Sequence, residues 1–427
     1  MAARERFAAT AAAASGGTPV PTLPLDVMRE KLFTLLPADA RGRASCVCRL
    51  WRDAAADPAL WTTLDVSRTG GTWLQLRRAP LLLGASRRAA GALVALDVSG
   101  ILPEARRFET LLDVVRANAA SLRTLRTFVD VSVEWRELEA LVAAAPNLAT
   151  LRVAGLHGDA EKLMPFLQQE PSDANPTVLH FDALDVSMPT YLVDGFDVDV
   201  ALVALVGALR GRRFSSLTVT GDWADTAHTQ EIGRAAFEEL VDLALECRLS
   251  RMHFCNGGLT RVCVPGLVRL LADDTDIREL SVHNMGNNRL LEDEATAAQL
   301  SAALRASTTL HEFGVNEIRM GVATATVMLT AAVGHRSLRV LYIGVESRGV
   351  QDPELWRRFQ NALHALVVAN APSLQTLEIT IDGEGEDDNR RLNNSPHCVA
   401  CRRAVGVALR SNTHLTVVEC LQVTLRG

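Results

Sequence analysis

The sequence predicts an α/β solenoid with a parallel sheet on its concave face and helices on its convex face, preceded by a small all-α domain. Three observations lead to this prediction. A short apolar-x-x-apolar-x-apolar pattern recurs from residue 61 onward, at steps of 26 to 41 residues. An amphipathic helical pattern and a short polar turn precede most of its copies. Before residue 61, by contrast, the apolar residues follow helical spacings.

The composition is that of a soluble protein with a sizeable core. Of 427 residues, 48% are hydrophobic and 22% are charged, and the formal net charge is −6. This charge gives no reason to expect nucleic-acid binding, and no apolar run approaches the roughly 18–20 residues that a membrane span needs. Eight scattered cysteines and no secretory h-region favour free thiols in a reducing compartment, cytoplasmic and/or nuclear. Residues 1–22, rich in Ala, Gly and Pro, are expected to form a flexible leader; the alternative is an organelle transit peptide, which Glu5 disfavours.

Residues 23–61 carry two helical patterns. The apolar side chains of the first are Leu25, Met28, Leu32, Leu35 and Leu36. This helix is expected to end at Pro37, which cannot continue it. The second pattern predicts a helix from about Asp39 to Ala56, closed by Pro58. Its apolar residues are Val47, Leu50, Trp51 and Ala54.

Each copy of the recurring pattern predicts a short, half-buried strand. The copies are Trp61/Leu64/Val66, Leu93/Leu96/Val98, Leu148/Leu151/Val153, Phe181/Leu184/Val186, Phe214/Leu217/Val219, Leu249/Met252/Phe254, Ile277/Leu280/Val282, Leu310/Phe313/Val315, Leu338/Leu341/Ile343, Leu374/Leu377/Ile379 and Leu415/Val418/Cys420. Leu122 and Leu125 fit less well, because Thr127 holds the third position. Helical stretches such as FETLLDVVRAN and FQNALHALVVANA precede the turns. A step of this length accommodates one strand and one helix per turn of a solenoid.

The stretch LPLDVMREKLFTLLPADARGRASCVCRLWRDAAADPALWTTLDVS resembles an F-box. The residues that carry the resemblance are Leu23, Pro24, Asp26, Val27, Leu35, Leu36, Pro37, Val47, Cys48, Arg49, Trp51, Arg52, Pro58, Leu60, Trp61 and Leu64. The later repeats are similar to the long, ribonuclease-inhibitor type of leucine-rich repeat. The resemblance implies an F-box at residues 23–61 and a leucine-rich-repeat horseshoe over residues 62–427. Within the repeats, the sequence predicts a polar loop near residues 382–396.

An F-box of this family docks on the Skp-type adaptor of a cullin-based (SCF) E3 ubiquitin ligase, while the repeats hold a protein substrate. The resemblance therefore implies a substrate-recognition subunit with no catalytic residues, cofactor or metal of its own. The adaptor contacts, or their direct support, are expected at Leu23, Pro24, Val27, Leu35, Leu36, Val47 and Trp51.

Two departures from the repeat family concern the regularity and curvature of the solenoid. The Asn or Cys expected after each strand is missing, and the lengths of the units vary. The residues that stand there instead are Ile101, Asp130, Leu156, Asp222, Gly257, Met285 and Ile318.

Two cysteine pairs are candidates for thiol or metal chemistry. Cys46 and Cys48 lie in the second predicted helix, where residues two apart point about 200° from each other, so packing is favoured over a joint site. His397, Cys398 and Cys401 include a C-x-x-C pair, but a structural zinc site needs four ligands and no second pair exists. The alternative is the start of the last helix, with both cysteines on its buried side.

Recognisable catalytic motifs are absent from the sequence. There is no G-x-S-x-G, no phosphate-binding glycine loop and no H-E-x-x-H. The CNGGL stretch is more typical of a turn than of a phosphate cradle. The sequence therefore does not predict an enzyme.

The residues between the apolar positions of each strand face the concave surface. In the middle repeats this row is polar, and it includes Ser281, Gly344, Glu378 and Thr380. The candidate substrate-binding residues are Arg251, His253, Glu279, His283, Glu312, Asn316 and Tyr342. A surface of this kind suits recognition of a peptide or protein, although a solvated sheet carries polar residues in any case.

Two other functions stay open. The first is a repeat scaffold outside a ligase, in which the F-box-like segment only caps the open apolar end of the repeats. The second is a ligand-assisted receptor that holds a polyanionic cofactor with clustered basic residues. The arginine pairs are dispersed, which disfavours this cofactor: Arg77/Arg78, Arg87/Arg88, Arg106/Arg107, Arg357/Arg358 and Arg390/Arg391.

Overall fold

The computed structural model describes residues 23–36, 38–65, 78–99, 105–127, 132–168, 177–188, 197–221, 231–255, 258–272, 275–284, 290–291, 294–317, 320–346, 352–369, 373–382, 396–409, 412, 415, 417–420 and 423–425. Packing divides the chain into two compact units. The N-terminal unit comprises Met1–Val129, Ala140–Leu151 and Ser172–Thr177, and the C-terminal unit comprises Asp130–Glu139, Arg152–Pro171 and Val178–Gly427. The predicted leader, Pro37 and most of the predicted polar loop (residues 383–395) lie outside the described residues.

The N-terminal unit begins with short helices. The first, α1 (Leu25–Val27), continues through a π-helical turn, Met28–Leu32, into a 3-10 turn, Phe33–Leu35. Two helices follow, α2 (Ala38–Ala44) and α3 (Arg49–Ala55), and then a 3-10 turn, Pro58–Trp61. The predicted single helix from Asp39 to Ala56 is therefore wrong.

Cys46 and Cys48 lie at the break between α2 and α3, not within a helix. Cys48 has extended backbone angles and precedes α3, and Cys46 lies in the turn before it. Both thiols are free and exposed. The expectation that they pack on a continuous helix is therefore wrong, because that helix does not exist.

The indole of Trp61 joins the short helices to the first strand–helix repeat. Its ring is fully buried, and its Nε1–H donates to the Ala55 carbonyl at 2.7 Å. The guanidinium groups of Arg88 and Arg41 lie 5.1 and 5.9 Å from the ring centroid. Arg88, on the helix of the first repeat, also donates to the Ser45 hydroxyl at 3.3 Å. The F-box-like helices and the first repeat thus share one core.

The first repeats of the N-terminal unit alternate strand and helix. Their elements are β1 (Thr63–Asp65), α4 (Arg78–Ala89), β2 (Ala95–Asp97), α5 (Ala105–Ala117) and β3 (Thr124–Arg126). The three strands pair in parallel, with Leu64, Leu96 and Leu125 in register. Each of these leucines is at most 1% exposed, as their places in the apolar pattern predict. Thr127 is buried like an apolar third position, although the sequence pattern fits poorly there.

The rest of the chain continues the alternation. Its elements are β4 (Ser132–Glu134), α6 (Trp135–Ala144), β5 (Thr150–Asp159), α7 (Ala160–Gln168), β6 (Val178–Met188), α8 (Val198–Leu209), β7 (Ser216–Gly221), α9 (Arg234–Glu246), β8 (Arg251–Cys255), α10 (Val264–Leu270), β9 (Glu279–Asn284), α11 (Glu294–Ala306), β10 (Glu312–Glu317), α12 (Val322–Ala332), β11 (Val340–Glu346), α13 (Pro353–Val368), β12 (Thr376–Asp382), α14 (Pro396–Leu409), β13 (Val417–Cys420) and β14 (Val423–Leu425).

Within the C-terminal unit, strands β6 to β13 pair in parallel in the order of the chain. Leu217, Met252, Leu280, Phe313 and Leu341 occupy one row of this register and are each fully buried. Their side chains fill the space between sheet and helices, because side chains alternate between the two faces of a strand. The prediction of an α/β solenoid is confirmed.

Two strands were not predicted from the sequence. β4 pairs in parallel with β5 and is only three residues long. β14 pairs with β13 in the antiparallel direction. Both lack the apolar-x-x-apolar-x-apolar pattern, so the repeat search does not find them.

A polar side chain closes two of the turns that lead from a helix into a strand. The Nδ1 atom of His335 accepts the Leu338 N–H at 3.1 Å, and its Nε2–H donates at 2.9 Å to the Leu304 carbonyl in the last turn of α11. Asn412 accepts the Leu415 N–H at 2.8 Å and donates at 2.6 Å to a carbonyl in the last turn of α13. Each side chain therefore ties the entry of a strand to the helix of an earlier repeat.

Candidate functional site

The F-box-like helices expose large apolar side chains. Those that exceed one third exposure are Leu23, Val27, Leu32, Leu35 and Val47. Leu35 is 80% exposed and Val47 is 67% exposed, although both follow helical apolar patterns in the sequence. Five of the thirteen exposed large apolar residues among the described residues thus lie within the short segment 23–47. We call these five residues the helical apolar surface.

Two aromatic side chains of the F-box-like helices, Phe33 and Trp51, pack against each other. Phe33 is 1% exposed, and its ring meets Trp51 edge to face with the centroids 5.8 Å apart. Trp51 is half-buried, as is Leu36. Pro24 is exposed and its carbonyl accepts the Met28 N–H at 3.1 Å, at the start of α1. Of the seven residues predicted from the sequence, Leu23, Val27, Leu35 and Val47 belong to the surface, and Trp51 packs against Phe33.

A second candidate site is a groove of about 290 Å³ on the face of the C-terminal sheet that is opposite the helices. Its walls come from β8 to β12: His253, Ser281, His283, Glu312, Tyr342, Ile343, Gly344, Glu378 and Thr380. Four of the seven predicted substrate-binding residues are among them, namely His253, His283, Glu312 and Tyr342. Arg251 and Glu279 lie on neighbouring strands in the same register row as Glu312. The position of the Asn316 side chain lies outside the described residues.

A glycine shapes the floor of the groove. Strand pairing aligns His253, Ser281, Gly314, Tyr342 and Glu378 in one row across the five strands. A Cβ atom on Gly314 would lie 2.9 Å from the Ser281 hydroxyl oxygen and 3.5 Å from the Tyr342 ring. The Ser281 and Tyr342 side chains therefore already fill the space over Gly314, and only glycine fits between them without a clash.

The carboxylates around the groove differ in their partners. Arg251 Nε lies 3.2 Å from a Glu279 oxygen, and His253 Nε2 lies 4.0 Å from the same oxygen. Glu312 pairs with no arginine or lysine within 4 Å among the residues that the structure describes. Burial raises the pKa of the Glu312 carboxyl, and repulsion from Glu279 adds to this rise while Arg251 opposes it.

The two histidines of the groove are held neutral. Burial lowers the pKa of His253, with the nearby Glu279 carboxylate opposing this effect. Burial alone lowers the pKa of His283. Since an ordinary histidine has a pKa of about 6.5, both rings are uncharged near pH 7. They offer the groove hydrogen bonds rather than positive charge.

For some groove residues, the sequence predicts the correct face of the strand but does not identify them as binding residues. Ser281, Gly344, Glu378 and Thr380 alternate with buried residues and so share a face with the predicted site. Ile343 also lines the groove, although its side chain is 1% exposed. Among them, Glu378 is the residue that the sequence could most readily have identified, because it is a carboxylate in the same register row as His253.

The described part of the chain contains no group of three or more His, Cys, Asp or Glu side chains that could hold a metal ion. The last helix, α14, begins at Pro396, so His397, Cys398 and Cys401 lie in its first turns. This placement agrees with the alternative to a zinc site, in which these residues form the start of the last helix. Whether both cysteines face the core lies outside the described side chains.

A family model described as F-box-like matches residues 20–67. No curated protein matches the chain. A solved structure titled "Crystal structure of Rad7 and Elc1 complex in yeast" is similar to 81% of this chain and 89% of that chain, with 14% sequence identity and a TM-score of 0.34. The family match gives the chain an F-box-like segment at residues 20–67. The α/β solenoid follows from the order and pairing of its own strands. In the described ranges, no helix is long and apolar enough to cross a bilayer.

Proposed function

We propose that this protein is the substrate-recognition subunit of an SCF-type E3 ubiquitin ligase. Its F-box-like segment binds the Skp-type adaptor, which joins it to the cullin scaffold, and its C-terminal unit binds a protein substrate. Such a subunit needs no catalytic residue of its own, because it works by holding the substrate at high effective concentration near a ubiquitin-charged enzyme.

The observation that carries this proposal is the F-box-like match at residues 20–67 together with the helical apolar surface inside it. Solvent-exposed leucine and valine cost a monomer solubility and add no packing, so a partner that covers them explains their exposure. Burial of one such side chain contributes about 1.5–3 kcal/mol to an interface. Leu35 and Val47, the most exposed members, are the principal adaptor contacts.

The test is recovery of a Skp-type adaptor by the full-length chain. We expect the wild-type protein to retain the adaptor, and Leu35→Asp to bind it at least tenfold more weakly, because the variant loses about 1.5–3 kcal/mol of burial and places a charge in the interface. Val200→Asp is the matched control, since Val200 is 65% exposed but lies on α8 in the C-terminal unit. Failure of the wild-type chain to recover the adaptor, where another F-box protein succeeds, would contradict the proposal.

A second candidate function is a repeat scaffold whose F-box-like segment serves as an N-terminal cap. The observation that favours it is the fully buried indole of Trp61, which packs between the short helices and the first repeat. A cap covers apolar surface at the end of a repeat array in this way. For this function, Leu35→Asp should leave every partner of the protein bound, and no adaptor should be recovered.

A further inference from the structure

We propose that the groove between β8 and β12 binds an arginine or lysine side chain, so that the substrate segment recognised by this chain is basic. The inference rests on the proposed role of the C-terminal unit in substrate binding and adds the chemical class of the substrate. It follows from the charges, the shape and the hydrogen-bonding groups of the groove.

The carboxylates that line the groove come from two strands. Glu312 and Glu378 both line it, on strands β10 and β12. The nearest charge pair, Arg251 and Glu279, is internally neutral at a separation of 3.2 Å. None of the residues described as lining the groove is a lysine or an arginine. An anionic ligand such as a phosphopeptide would meet repulsion there, whereas a cation would be attracted.

Glu312 has the most to gain from a cationic ligand. Its carboxylate is partly desolvated and its pKa is raised by burial, and Arg251, which opposes this rise, makes no ion pair with it within 4 Å. A guanidinium or ammonium group that enters the groove would supply that partner. Charge-assisted hydrogen bonds of this kind are about twice as strong as neutral ones.

The other walls complete a site for a long basic side chain. Tyr342 contributes an aromatic ring to the wall of the groove, and cations bind favourably to the faces of such rings. The Ser281 and Thr380 hydroxyls and the uncharged histidines offer hydrogen-bond acceptors. The volume of about 290 Å³ is many times the ~30 Å³ that one water occupies. The groove is therefore large enough for a side chain and its first neighbours.

The test measures binding of the full-length protein to degenerate nine-residue peptide libraries that differ only in a fixed central residue: Arg, Lys, Gln, Glu or phosphoserine. We expect the Arg and Lys libraries to bind at least about fivefold better than the Gln library, and the Glu and phosphoserine libraries to bind worst. The double variant Glu312→Gln/Glu378→Gln should lose this preference. Glu312→Gln alone should lose part of it, and both variants should keep the wild-type circular dichroism spectrum.

Glu294→Gln is the matched control, because Glu294 is exposed at the start of α11 on the helical side of the C-terminal unit. It should retain the full preference for basic residues. Equal binding of all libraries, preference for an acidic library, or a basic preference that survives the double variant would overturn the inference. Adaptor recovery is measured on the same preparations. Recovery without a basic preference contradicts the inference alone, whereas a glutamate-dependent basic preference without recovery contradicts only the ligase function.

Discussion

Replacement of Trp61 by alanine should release the F-box-like helices from the first repeat. The indole is fully buried, its N–H donates to the Ala55 carbonyl at 2.7 Å, and two guanidinium groups lie over its ring. Truncation of a buried tryptophan to alanine costs about 3–5 kcal/mol. The lost hydrogen bond and cation–π contacts, each about 1 kcal/mol, move the expected cost toward the upper part of that range. We take about 4 kcal/mol as the expected loss.

Amide hydrogen exchange of residues 49–65 measures this loss directly. When closing is faster than exchange, the rate follows the opening equilibrium, and each 1.36 kcal/mol changes it about tenfold. Trp61→Ala should therefore raise the exchange rates about a thousandfold. Trp61→Phe keeps most of the packing but loses the N–H donor, so it should raise them about tenfold. Val47→Ala, at a position that is 67% exposed, should change them less than about threefold.

The comparison of the three variants decides whether the reasoning holds. If Trp61→Ala raises exchange no more than Trp61→Phe does, the ring does not hold the helices against the repeat. The helices then fold as an independent module, and their contact with the first repeat contributes little to the free energy of unfolding. If the effect reaches the expected size, the orientation of the F-box-like segment on the first repeat is fixed by this side chain.

Two further predictions concern buried polar groups. His335→Ala should lower the free energy of unfolding by about 2–4 kcal/mol, because two buried hydrogen bonds are lost, while His335→Asn should retain most of it, as measured by urea denaturation. Burial lowers the pKa of His335 in the folded state, and its hydrogen bond to a carbonyl opposes this shift. The stability that His335 contributes is therefore present above the unfolded pKa of about 6.5 and declines as the pH falls below it. His335→Asn should remove that decline, and an unchanged pH profile of stability would contradict the assignment. Burial raises the pKa of the Cys263 thiol to about 12. Iodoacetamide at pH 8 should therefore label the exposed Cys46 and Cys48 and leave Cys263 unmodified in the native protein. Mass spectrometry that finds Cys263 labelled as fast as Cys46 would show that the Cys263 site is open to the reagent.

The positions of the strands could be predicted because their physical cause is local. Successive side chains of a strand alternate between faces, so a residue such as Leu280 must be apolar and Ser281 is free to be polar. The positions of the apolar triplets therefore predict which residues of successive strands lie in register. The break between α2 and α3 could not be predicted in this way. Gly42 lies three residues before Ser45, but an isolated glycine within a helical apolar pattern is tolerated, and no proline follows until Pro58, so the sequence gives only a weak signal for the break.

The groove was only half predictable for a related reason. Placing His253 and Tyr342 on one surface requires only alternation and order along the chain. Recognising the groove requires the register that brings His253, Tyr342 and Glu378 into one row, which depends on how strands 28 to 36 residues apart are paired. The partial desolvation of Glu312 depends in turn on how the neighbouring side chains are arranged. No pattern in the sequence reports that arrangement.

If the proposed binding of a basic segment holds, recognition should concentrate at β10 to β12 rather than along the whole polar face. Farther back, Asp185 already accepts a hydrogen bond from Thr220 at 3.2 Å and lies 3.1 Å from His157 Nδ1. Its charge is satisfied inside the sheet surface, so a ligand there would have to displace existing contacts. Glu312 has no such contact with a basic side chain among the described residues, and it lines the groove. A ligand cation at that point gains a partner without breaking one, which makes the unsatisfied carboxylate a better guide to binding than the number of polar residues on the surface.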